Sequence, residues 1–111
     1  MFKKKENVIE FDFNGLNIKA KAVDVALAHS KAMESLNANT PDTMLNAEQI
    51  QTETKIIKEF LKDIFGAATV TAIIKQVWGD EKPDYYSYAD LFVYIVSELT
   101  TFARNRMTIN G

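Results

Sequence analysis

The chain has 111 residues, of which 47% are hydrophobic and 25% charged, with a formal net charge of -2 and no cysteine. That size and balance predict one globular domain that folds without a metal or disulfide, and they argue against global disorder. They exclude a thiolate metal site and a cysteine nucleophile, fit a reducing compartment, and disfavour nucleic acid as a partner, since a polyanion is best met by a basic protein.

The basic run Lys3-Lys4-Lys5 reads as a solvated terminal segment. No apolar run follows it in the manner of a signal peptide, and no stretch of about 18 apolar residues exists to cross a membrane. The expectation is a cytoplasmic protein with no membrane or nucleic-acid partner.

Residues 8–21 carry the clearest local pattern. Ile9, Phe11 and Phe13 alternate with Glu10 and Asp12; after Asn14-Gly15, Leu16, Ile18 and Ala20 alternate with Asn17, Lys19 and Lys21. Asn-Gly favours a two-residue type I′ turn, which needs positive φ at both positions. The implied register sets Phe13 against Leu16, Phe11 against Ile18 and Ile9 against Ala20 on one face, with Glu10 opposite Lys19 on the other. A lone hairpin is marginal in water, so its apolar face must lie on the helices that follow.

Residues 23–37 predict a first helix with Val25, His29, Met33 and Leu36 on its inner face and Ala26 and Leu27 beside it. The polar stretch 38–46 around Pro41 reads as a loop and as the best candidate for a mobile segment. A second helix is expected over 47–65, opened by an Asn46/Gln49 capping box, with Ile50, Ile57, Leu61 and Ile64 as its stripe and Phe60 widening it. Gly66 is placed to end it as a left-handed cap. A third helix follows over 67–78, with Val70, Ile73, Ile74 and Val77 as its stripe, closed in the same way by Gly79. Asp80-Glu81-Lys82-Pro83-Asp84 is a turn. A fourth helix over 88–106 is expected to start at a Ser87/Asp90 capping box. The fold class is therefore α+β, mainly α: an N-terminal β-hairpin packed on a bundle of about four helices.

The residues carry no signature of chemistry. His29 is the single histidine, and its neighbours Asp24 and Glu34 do not give it an i, i+4 ligand pair, so it reads as a packed imidazole rather than a metal ligand. No nucleophile elbow, phosphate loop, dinucleotide fingerprint or zinc-protease string occurs. The acidic turn at 80–84 lacks the spacing of a calcium loop. Arg104 and Arg106 suit the negative end of the last helix. The expectation is a protein without enzymatic activity, cofactor or metal.

Two groups of side chains stand out as candidates for binding a partner. Trp78, Tyr85, Tyr86 and Tyr88 cluster around the acidic turn. They read either as core and rim packing or as an interface patch, since Trp and Tyr anchor interfaces. The fourth helix contains Leu91-Phe92-Val93-Tyr94-Ile95-Val96, six apolar residues in succession. Leu91, Phe92, Ile95, Leu99 and Phe102 make one face suited to the core. Val93, Tyr94 and Val96 point partly away, and are covered either by the hairpin and first helix or by another chain.

The strand pair "VIEFDFNGLNIKA", the mostly helical remainder and the run "IIKEFLKDIFGAATVTAIIKQVWGD", followed after an acidic turn by "YADLFVYIVSEL", resemble the small tail assembly chaperones of long-tailed phages and prophages of Gram-positive hosts. Phe65-Gly66 and Gly79-Asp80 occupy the places where that family ends one helix with Phe-Gly and the next with Gly-Asp or similar. The polar link around Pro41 departs from the family pattern. The resemblance spans about residues 6–103 and implies a non-enzymatic role in virion assembly: coating the aggregation-prone tape-measure protein in the host cytoplasm, yielding to tail-tube subunits, and being absent from the finished particle. A homo-oligomer that hides the binding surface is a further expectation. The competing classes are a virion structural part, such as a head–tail connector or tail-completion protein, and a small regulatory adaptor.

Overall fold

The computed structural model describes residues 1–39 and 45–107. Strands β1 (Val8–Phe13) and β2 (Leu16–Lys21) form a two-stranded antiparallel sheet. Its register is the one the alternation implies, with Phe13 opposite Leu16, Phe11 opposite Ile18, Ile9 opposite Ala20 and Glu10 opposite Lys19. Asn14 and Gly15 take φ of 53° and 96°, the sign that the I′ turn requires. The Asp12 carboxylate accepts from Gly15 N–H at 2.7 Å and steadies the turn. Ile9, Phe11 and Phe13 are buried, while Glu10 and Asp12 face outward.

Helix α1 (Ala22–Ala38) follows β2 without a loop. Its buried face is Ala22, Val25, Ala28 and Ala32. This corrects the expected stripe: His29, Met33 and Leu36 are only half-buried, and Ala26 and Leu27 face outward. The physical reason is close approach. Alanines let α1 lie tightly against its neighbour α2 (Ala47–Phe65), so that Ala28, Ala32 and Ser35 face Ile56 and Phe60 across a narrow seam. Lys31 and Asp63 meet across the rim at 3.2 Å, an exposed pair that contributes little.

The capping box at the start of α2 forms as expected: Gln49 N–H donates to the Asn46 side chain, and Asn46 N–H to the Gln49 side chain, both at 2.9 Å. Ile57, Phe60 and Leu61 are buried, with Ile50 and Ile64 half-buried. One residue, Gly66, then joins α2 to α3 (Ala67–Trp78). Its φ is positive, at 81°, but its ψ is 157°. This is an extended conformation essentially reserved for glycine, so the expected left-handed cap is corrected to a sharper corner. Gly79, with φ 61° and ψ -119°, departs from it in the same sense. Only Ile73 of α3 is fully buried; Val70, Ile74 and Val77 are half-covered.

Helix α4 (Tyr85–Met107) begins three residues before the expected start. The residue that caps it is Asp84, not Ser87. Ser87 N–H and its hydroxyl donate to the Asp84 carboxylate at 3.0 and 3.1 Å, and Asp84 N–H returns to Ser87 Oγ at 3.2 Å. These bonds, the Ser87 N–H above all, hold the Asp84 carboxyl below its ordinary pKa. Tyr88, Leu91 and Ile95 are the buried positions of α4, with Leu99 and Phe102 packed beside them. The hairpin, α1, α2, α3 and α4 all feed one hydrophobic cluster, and among the described residues no polar or charged side chain is buried. The architecture is α+β, mainly α, as the sequence implies. The proposed mobile segment around Pro41 lies outside the described residues.

Candidate partner-binding surface

Helix α4 divides the molecule. On one flank the hairpin closes over it. Phe11 and Phe13 stack with centroids 5.9 Å apart. Phe65 meets both rings edge-on at 5.5 and 5.7 Å, and Tyr94 meets both at 6.1 and 5.6 Å. The Tyr94 hydroxyl accepts from Asp12 N–H at 2.8 Å. Tyr94 is thus engaged within the chain through its ring and its hydroxyl, which is the intramolecular alternative for this residue. A second flank meets α2 and α1, where Phe92 lies 4.8 Å from Phe60 and 6.2 Å from His29. His29 is accordingly a half-buried packing residue.

Among the described residues, nothing comparable covers the outer side of α4. Tyr86 is 71% exposed and Val93 61% exposed. Ala89 and Val96, half-buried, complete a stripe at spacings of three and four residues. Asp90, Ser97, Thr100 and Thr101 flank it with exposed polar groups. The structure also separates the aromatic cluster around the acidic turn. Tyr88 is buried and carries Lys58 over its ring at 5.2 Å. Tyr85 is half-buried and donates its hydroxyl to Glu53 on α2 at 2.9 Å. Desolvation, and then Glu53, raise its pKa above the ordinary phenol value. Tyr86 stands outside, edge-on to Tyr85 at 5.2 Å. Trp78 is half-buried at the end of α3, in a cleft between the hairpin turn and α4.

Two features escape the sequence pattern. Val23 and Leu27, one turn apart on α1, are 59% and 66% exposed; reading Ala22, Val25, Ala28 and Ala32 as a buried stripe would have placed them outside. The cleft at Trp78 draws Asp12 and Phe13 from the hairpin and Asp90 and Leu91 from α4, a long-range meeting with no local signal.

The accessible surface is 7919 Å², against about 6,200 Å² for a compact monomer of this mass. The radius of gyration is 15.6 Å, against about 13 Å for a compact chain of this length. The exposed segment 1–7 supplies part of the difference. Among the described residues no group of His, Cys, Asp and Glu is placed to hold a metal ion, and no helix is long and apolar enough to cross a membrane. Comparison with family models, with characterised proteins and with solved structures finds no match.

Proposed function

We propose that the chain is a non-enzymatic tail assembly chaperone that holds an amphipathic helix of a tape-measure protein in the cytoplasm of a bacterial host. The observation that carries this reading is the outer stripe of α4, Tyr86, Ala89, Val93 and Val96, apolar at helical spacing, with Tyr86 and Val93 open to solvent and Ala89 and Val96 half-buried. A helix lying along such a stripe can cover it by packing its own i, i+3, i+4 residues between these side chains. The family part of this reading rests on the resemblance drawn from the sequence.

The stripe is short and rimmed by Asp90 and Ser97. Its contact is therefore modest, which suits a client that must later be surrendered to tail-tube subunits. Val93 and Tyr86 hold the client in this reading. Tyr94 serves the fold and supports the helix from behind. Co-expression with the tape-measure protein tests the proposal. The client is expected in the soluble fraction with the native chain and in the pellet without it. Purified virions are expected to lack the chain; finding it there as a stoichiometric part would replace the chaperone by a structural component of the particle.

A further inference from the structure

An open cleft of about 490 Å³ lies where the hairpin turn, the end of α3 and the first half of α4 converge. Its floor is apolar: Phe13 and Leu91 line it and are 3% and 6% exposed. Trp78 and Tyr94 add their rings to the lining. Asp12 and Asp90 are the charged residues of its lining, and no lysine or arginine is among the lining residues.

The walls are tied in place. Gln76 Nε2 donates to the Asn14 carbonyl at 2.8 Å, and Asn14 Nδ2 donates to the Gln76 carbonyl at 3.4 Å, latching α3 to the hairpin turn. Asp12 is held through its carboxylate by Gly15 N–H at 2.7 Å, and its own N–H is taken by the Tyr94 hydroxyl. The Asp90 carboxylate, exposed and one turn before Tyr94, has no hydrogen-bond or ion-pair partner among the described residues.

We propose that this cleft receives an arginine side chain of a partner protein. The choice follows from charge complementarity. A neutral apolar occupant would strip water from Asp12 and Asp90 and return nothing to them. An anionic occupant would be repelled. A guanidinium satisfies both demands, because its plane stacks on Trp78 or Tyr94 while its N–H groups reach a carboxylate. Lysine supplies the charge without the planar stacking surface, so arginine is the better fit. This surface adjoins the outer stripe of α4 at Asp90, but the inference rests on the cleft's own lining and stands without the chaperone reading.

Trp78 is the single tryptophan of the chain, so its fluorescence reports this cleft alone. The probe is a short acetylated and amidated peptide with Leu-Arg-Leu at its centre, titrated against its neutral citrulline counterpart. The arginine peptide is expected to change Trp78 emission saturably, in roughly the millimolar range expected of one anchoring side chain. The citrulline peptide is expected to leave it unchanged. Asp90→Asn, with the fold checked by circular dichroism, is expected to weaken the arginine peptide about 3-fold to 10-fold, the worth of one partly exposed charged contact. Equal responses to the two peptides, no saturable response to arginine, or an Asp90→Asn variant that binds as tightly as the native chain would each overturn the proposal.

Discussion

The two sides of Leu91–Val96 on α4 are apolar in equal measure and are used in opposite ways. Tyr94 is locked under the hairpin by edge-on packing with Phe11 and Phe13, the two rings that Phe65 also meets, and by the bond from Asp12 N–H. Val93, its neighbour in sequence, is 61% exposed. A helix rotates about 100° per residue, so adjacent apolar residues necessarily serve different surfaces. What separates a core residue from a candidate docking residue here is where β1 lies, and β1 is fixed by the Asn14-Gly15 turn and by where its own phenylalanines pack.

If that division is right, the largest effect belongs to the closed side. Phe11→Ala should cost about 3–5 kcal/mol, because a fully buried ring that touches Phe13, Phe65 and Tyr94 leaves a cavity behind. Chemical denaturation measures it, and a cost below about 1 kcal/mol would mean that the hairpin does not seal α4.

Gly15→Val attacks the same seal from the turn. A β-branched residue at φ 96° is strained by about 1–3 kcal/mol. The nearest side-chain atom to an added Cβ is Gln76 Nε2 at 3.8 Å, so the cost comes from the backbone and not from crowding. An unchanged melting temperature would contradict the turn.

Tyr94→Phe keeps the ring contacts and removes the acceptor for Asp12 N–H. A loss of about 1 kcal/mol is expected, towards the lower end because the bond is exposed. A double-mutant cycle of Tyr94→Ala with Phe11→Ala should show coupling, since the rings touch.

Changes of pH probe the α2–α4 contact. Tyr85 has a folded pKa raised above the ordinary value of 10.0, first by desolvation and then by Glu53. The unfolded state therefore releases its proton first as pH rises. The associated stability is fully present below pH 10 and is lost as pH climbs through the folded value. Tyr85→Phe should flatten that alkaline decline in a thermal scan. Asp84 works in the opposite sense: its folded pKa lies below 3.8, so its cap is intact above that pH and lost on acidification through the folded value.

The hairpin was legible because every signal for it is local: the alternation, the Asn-Gly pair and the turn length act within fourteen residues. The Asn46/Gln49 cap was legible for the same reason. The start of α4 was not, because Asp84/Ser87 and Ser87/Asp90 both fit a cap at the same spacing. The earlier start gives the helix an aspartate cap and carries Tyr85 to Glu53, a contact made in three dimensions. Alanines hid the inner face of α1, since hydrophobicity alone ranks Leu27 above Ala28, whereas close helix packing favours the smaller residue. Glycine at 66 signalled the end of α2, but its ψ depends on where α3 must go. Of the candidate binding residues, Val93 and Tyr86 lie on the open side, Val96 is half-buried, and Tyr85, Trp78 and Tyr94 have contacts inside the chain. No one-dimensional pattern distinguishes these cases.

The smallest effect on stability, and the most direct test, falls on the open side. Val93→Asp should change the unfolding free energy by no more than about 0.5 kcal/mol, as an exposed substitution does. The decisive measurement is the soluble fraction of tape-measure protein co-expressed with native chain, with Val93→Asp and with Tyr94→Phe. The expected result is a folded Val93→Asp variant that no longer keeps the client soluble, beside a Tyr94→Phe variant that still does. A Val93→Asp variant that is folded and holds the client as well as the native chain would contradict the outer stripe of α4 as the binding surface.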